Sequence, residues 1–166
     1  MSMDFRYLYT SFEGRINRKA FWIASLILLV FGLVISFAVL MPISAANATM
    51  GALAGLILSL AFLYPGVALG VKRLHDRGKP GLLMVVFIAP GLISQLCDLL
   101  GITGSYQTIA GHTIHMPNTL GWILNFVTLG VAIWALVALG FLKGTSGPNG
   151  YGPDPLMSDD RQAVPG

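Results

Sequence analysis

The chain has 166 residues, 55% of them hydrophobic and only 10% charged, and a mean hydropathy of +0.74. Soluble domains carry about 25% charged residues, so this is the composition of a membrane protein and not of a water-soluble globule. The net charge of +3 is therefore no sign of nucleic acid, because the basic residues flank apolar runs where topology and lipid account for them first.

Residues 1–19 form a basic N-terminal segment that runs into the stretch FEGRINRKAFW at residues 12–22. Arg15, Arg18 and Lys19 are spaced by three and four, so on a helix they share a face. Phe21 and Trp22 stand where an interfacial aromatic belt belongs. Cations at a helix N-terminus oppose the macrodipole. A topology anchor explains them, and a bound anion would explain them better, since helix N-termini already attract anions.

Four apolar runs follow, at Ala20–Met41, Met50–Val71, Leu82–Leu100 and Thr119–Leu142. Each approaches the roughly 20 residues that cross a bilayer. They are apolar all round, without the polar stripe of a surface helix. The expected fold is an all-α membrane protein of four transmembrane helices arranged as two hairpins across residues 20–142. Ser44–Ala48, after the first run, contains a site like those cut by signal peptidase. The run is longer than a signal h-region, so an uncut first span is expected.

All ten Lys and Arg fall on one side of this layout. Arg6, Arg15, Arg18 and Lys19 precede the first span; Lys72, Arg73, Arg77 and Lys79 lie between the second and third; Lys143 and Arg161 follow the fourth. The connections Pro42–Thr49 and Gly101–Asn118 have none. The positive-inside rule then predicts both termini and the central loop to be cytoplasmic.

That central loop reads RLHDRGKPG at residues 73–81. Gly78, Pro80 and Gly81 supply a turn, and Arg77 and Lys79 crowd the start of the third helix. Asp76, the loop's one acid, is expected to pair with Arg73, Arg77 or an N-terminal arginine, since interfacial charges pair before they do chemistry. His75 beside it could titrate near neutral pH. In the third span Asp98, with Gln95 nearby, is the one intramembrane charge, close to the outer end. His112 and His115 in the outer connection are too few for a metal centre, and Gly111 and Pro117 suggest a loop there. Cys97 is alone and fixes no redox compartment. The tail, residues 143–166, is rich in Gly and Pro. Gly144 is placed to cap the fourth helix, Asp154 to reach the basic cluster and Tyr151 to pack at the interface, with residues 156–166 disordered.

Three segments together, Gly14–Trp22, Arg73–Gly81 and Gly144–Pro155, resemble the pattern of the bacterial domain-of-unknown-function 805 family of small inner-membrane proteins. That pattern is G-R-x-[NS]-R-x-x-[FY]-W, then R-[LF]-H-D-x-[GN]-[KR]-x-G, then G-x-x-G-x-N-x-[FY]-G-x-[DN]-P. The chain departs from it at Leu82 and Leu83, where the family often has tryptophan, and at Gly150, where it often has a basic residue. The resemblance implies the architecture and an inner (plasma) membrane location, and assigns no activity.

The function expected first is a non-enzymatic membrane module. Its cytoplasmic face would be Arg15, Arg18, Lys19, Arg73, His75, Asp76, Arg77, Lys79, Asn149, Tyr151 and Asp154, binding anionic lipid headgroups or a partner protein. One alternative is an oligomeric channel or transporter using Asp98. Another is a membrane enzyme on lipid-linked phosphates, with His75 and Asp76 as its acid–base pair oriented by Asp154 or Asn149. No catalytic residue, metal site, cofactor or nucleic-acid partner is expected. The partners expected are the bilayer and a homo-oligomer or membrane protein.

Overall fold

A computed structural model describes residues 4–109 and 112–157, the side chains of residues 112 and 113 excepted. Residues 158–166, which include Arg161 and most of the segment expected to be disordered, lie outside the described residues, as does the side chain of His112. The protein is mostly helical. A short helix α1 (Phe5–Thr10) precedes α2 (Arg18–Ile35), which continues through a π-helical turn (Ser36–Leu40) into α3 (Met41–Ala46). Helix α4 spans Ala48–Asp76 and α5 Leu83–Leu99. Strands β1 (Gly104–Ile109) and β2 (His112–Pro117) follow, then α6 (Thr119–Leu136), which ends in a π turn (Val137–Phe141).

Three helices are long and apolar enough to cross a membrane: Arg18–Ala46, Ala48–Asp76 and Thr119–Phe141. Helix α5, in the third apolar run, has 17 residues. Each long helix starts on an asparagine. Asn17, Asn47 and Asn118 accept from the backbone N–H groups of Ala20, Met50 and Gly121 at 2.9, 3.0 and 2.9 Å. These are N-caps, satisfying donors that the first turn leaves without partners. Asn47 also ends the preceding helix, its N–H donating to Ile43 O at 2.9 Å. The eight-residue loop expected at Pro42–Thr49 is thus a corner at this one extended residue. The widened turn ahead of it sits beside Pro42, which has no N–H to give to the ladder.

The chain divides into two compact units. The first comprises Met1–Leu28, Leu63–Val85 and Trp134–Gly166. It holds every buried large apolar side chain among the described residues, including Leu8, Ile16, Phe21, Leu69, Leu74, Met84 and Leu139. The second comprises Leu29–Phe62 and Val86–Ile133. Its helices turn their apolar side chains outward: Phe37, Ile57 and Phe126 are each 67% exposed. Outward apolar residues suit a hydrocarbon solvent, against which the hydrophobic effect exerts no drive to bury them.

Residues 101–118 were expected to be an irregular connection. Most of them form an antiparallel hairpin, in register from Gly104 opposite Pro117 to Ile109 opposite His112. The β-branched and aromatic residues Tyr106, Thr108, Ile109, Thr113 and Ile114 favour extended backbone.

Candidate functional site

In the first unit, α4 ends at Asp76 in a Schellman motif. The N–H of Lys79 donates to Leu74 O at 2.9 Å and that of Gly78 to His75 O at 3.0 Å. Gly78 stands in the left-handed region that this motif needs, with φ of 66°. The turn places Arg73, His75, Asp76 and Arg77 at one helix end.

The terminal π turn of α6 leaves its last carbonyls without helical partners, and side chains from two other segments fill them. Arg77 Nη1 donates to Ala138 O at 3.0 Å, and Arg73 Nε to Leu139 O at 2.7 Å. Trp22 Nε1 donates to Gly140 O at 3.1 Å, and Arg18 Nη1 to Phe141 O at 3.3 Å. Arg73 Nη2 also donates to Leu142 O. This answers the puzzle of cations at the start of α2. Arg18 opposes its own helix dipole, but it sits at the negative end of α6, where a cation is favourable.

Asp76 is at the centre. Its Oδ1 accepts from both Arg15 Nε and Nη2, at 3.2 and 3.0 Å, and its Oδ2 accepts from Arg73 Nη1, so each carboxylate oxygen has a charge-assisted bond. Arg73 is fully buried, and Arg15 and Asp76 are buried beside it. The expected pairing with Arg73 and an N-terminal arginine is what the structure has; Arg77 serves a carbonyl instead. Arg15 reaches further into the tail, donating to Thr145 O at 2.7 Å, Gly147 O at 2.8 Å and Gly152 O at 3.3 Å. Thr145 returns the contact, its N–H donating to Asp76 O at 2.8 Å.

Gly144 does not cap α6, which stops at Phe141 with Leu142 as its cap. It is small because a Cβ there would lie 2.6 Å from Asp76 Cγ. Asp154 does not reach the arginine guanidinia either. It accepts from the N–H groups of Gly147 and Leu156, each at 2.9 Å, and so shapes the tail. Those bonds, Leu156 first, hold its carboxyl below the usual carboxylate value, with Arg15 adding a smaller pull.

Tyr151 stacks on His75, ring centroids 3.9 Å apart and planes within 6°. Nδ1 of His75 lies 3.2 Å from Gly14 O, and Asn149 Nδ2 donates to His75 O at 2.9 Å. Asp76, engaged by two guanidinia, is thus not turned towards His75 as a catalytic partner would be.

Four cations in this unit remain exposed and have no partner among the described residues: Arg6, Lys19, Lys79 and Lys143. Lys72 belongs to the interior. It is fully buried, its Nζ donates to Tyr7 O and Leu8 O, and it lies 4.5 Å from the Tyr7 ring centroid. The carbonyl-binding roles of Lys72 and Trp22 escaped the sequence reading, because a backbone acceptor leaves no mark in a side-chain pattern.

Gln95 and Asp98, in the second unit, go separate ways. Gln95 Oε1 lies 2.7 Å from the Ser59 hydroxyl. Asp98 accepts from Thr103 Oγ1, and His115 Nε2 lies 4.0 Å from its Oδ1. No group of three or more potential metal ligands occurs among the described residues.

The first two polar segments, and the third as far as Pro153, lie within one family match. The family described as "Protein of unknown function (DUF805)" matches residues 9–153. The chain belongs to this family. Among its relatives is YiiR of Escherichia coli K12, an uncharacterized protein 29% identical over 145 residues, which are 87% of this chain and 85% of YiiR. YhaI of the same strain, an inner membrane protein, is 26% identical over 152 residues, 92% of each chain. No solved structure matches.

Proposed function

We propose that this DUF805 protein is a non-enzymatic module of the inner membrane that crosses it four times and holds anionic lipid headgroups on its cytoplasmic face. The carrying observation is how the basic residues divide. Arg15, Lys72, Arg73 and Arg77 are engaged by Asp76 or backbone carbonyls, whereas Lys19, Lys79 and Lys143 stay exposed beside them.

A parity argument supports four crossings. The end of α6 is bonded to the end of α4 and the start of α2, so these three ends share a side. If α6 crosses, α5 must carry the chain to the other side first. Its 17 residues reach about 25 Å at 1.5 Å each, close to the roughly 30 Å hydrocarbon core. All ten Lys and Arg then stand on the cytoplasmic side. The name of YhaI, an inner membrane protein, agrees with the location.

Each basic group at an anionic surface contributes about 1 kcal/mol. The three lysines together supply about 3 kcal/mol, roughly a hundredfold in affinity. The test is native mass spectrometry of protein extracted from phosphatidylglycerol-containing membranes. The wild type retains the lipid, and Lys19→Gln/Lys79→Gln/Lys143→Gln loses it. Equal retention by both proteins overturns the lipid reading. Displacement of the lipid by millimolar inorganic phosphate would assign the site to free phosphate instead.

A further inference from the structure

The hairpin of the second unit has two unlike faces. Residues opposite each other in an antiparallel pair share a face. Tyr106 with His115 and Gly104 with Pro117 lie on one face. The base of that face turns to the helix ends: His115 Nε2 approaches Asp98, and a Cβ on Gly121 of α6 would lie 3.0 Å from Pro117 Cβ, while Tyr106, further out, is 41% exposed. The other face carries Ser105, Met116, Gln107, Ile114 and Ile109. Its three large apolar side chains, Ile109, Ile114 and Met116, are 50%, 43% and 43% exposed, with no hydrogen-bond or ring partner among the described residues.

We infer that this second face lies in the lipid interface, at the boundary of headgroups and acyl chains, as an amphipathic hairpin between α5 and α6. Three observations identify lipid as the occupant. No Lys, Arg, Asp or Glu occurs between Asp98 and Lys143, so the whole connection is free of the charges that a water-facing loop carries. The exposed apolar face continues into exposed Leu100 and Ile102 before it and Leu120 and Trp122 after it, the last an interfacial residue by type. A two-stranded hairpin is marginal in water, whereas here both strands are held at helix ends and the remaining face is apolar. The inference rests on the membrane reading proposed above.

The test labels single cysteines with an environment-sensitive nitrobenzoxadiazole fluorophore in a Cys97→Ser background. The protein is reconstituted in phosphatidylethanolamine–phosphatidylglycerol vesicles. Ile114→Cys and Met116→Cys report the apolar face, and Thr108→Cys the opposite one. Phe126→Cys, on an exposed position of α6, reports whether the protein is in the bilayer at all. The inference expects blue-shifted emission at 114 and 116, several-fold stronger quenching there than at 108 by lipids with a nitroxide near the headgroup, and quenching at 126 by deep nitroxides. Water-like emission at 114 and 116 with 126 still quenched overturns the hairpin inference alone. An unquenched 126 overturns the membrane reading itself. Disulfide cross-linking of Ile114→Cys between copies, in place of lipid quenching, assigns the face to a second copy and overturns lipid as its occupant.

Discussion

Removing the Asp76 carboxylate is the sharpest perturbation of the polar cluster. In Asp76→Ala the buried guanidinia of Arg15 and Arg73 lose their shared counter-charge, so a site with one net positive charge becomes one with two. Both arginines keep their carbonyl acceptors: Thr145, Gly147 and Gly152 for Arg15, and Leu139 and Leu142 for Arg73. Dipoles solvate a cation but do not neutralise it. Breaking a buried pair by deleting one partner costs about 3–5 kcal/mol, and the surviving carbonyl bonds of both arginines keep the loss of their shared carboxylate within that range. Unfolding followed by tryptophan fluorescence in mixed micelles of rising SDS fraction measures this directly. The expected loss is about 3–5 kcal/mol for Asp76→Ala. In the cycle with Arg15→Ala, the double variant should be more stable than the two single losses predict, by at least about 1 kcal/mol. A loss under about 0.5 kcal/mol, within the range of an ordinary surface substitution, would refute the cluster as the element that joins these segments.

Gly144→Ala drives a methyl group into the Asp76 carboxylate and should lower stability by about 1–3 kcal/mol, the cost of overpacking; the same titration reads it, and Gly150→Ala, with open space around it, serves as the unaffected control. Trp22→Phe keeps the ring but leaves Gly140 O without its donor, for a loss of about 1 kcal/mol. The Asp154 carboxyl has a folded pKa below its unfolded one. Its contribution is therefore complete above the unfolded value and is lost as pH falls through the folded value. Stability measured across the acid range should decline less steeply in Asp154→Asn than in the wild type.

The apolar runs and the three polar segments were legible because composition and periodicity carry them. The pairing of Asp76 was legible too, since one acid among arginines has few other fates. The capping of α6 was not. Its need arises from a π turn at Val137–Phe141, and nothing in the apolar sequence VALGF announces that its carbonyls are open. The basic residues of α2 consequently read as candidates for an external anion, when one of them, Arg18, meets the end of α6. The hairpin was legible in principle. Two runs rich in Tyr, Thr and Ile around Ala110-Gly111 are a strand–turn–strand signal, but Gly111 and Pro117 read equally as loop formers. Asp154 serves its own segment and not the basic cluster, because a carboxylate within a turn bonds to nearby backbone N–H groups before it reaches a distant cation.

The central claim is that the chain crosses the membrane four times and so gathers its three polar segments on one side. Single cysteines at Glu13, Lys79, Ser146 and Thr108, in a Cys97→Ser background, probe it with a membrane-impermeant maleimide applied to intact cells and to inverted vesicles. The account predicts that positions 13, 79 and 146 label only in inverted vesicles and position 108 only in intact cells. Labelling of position 108 from the same side as position 79 would contradict it, because α5 would then not cross.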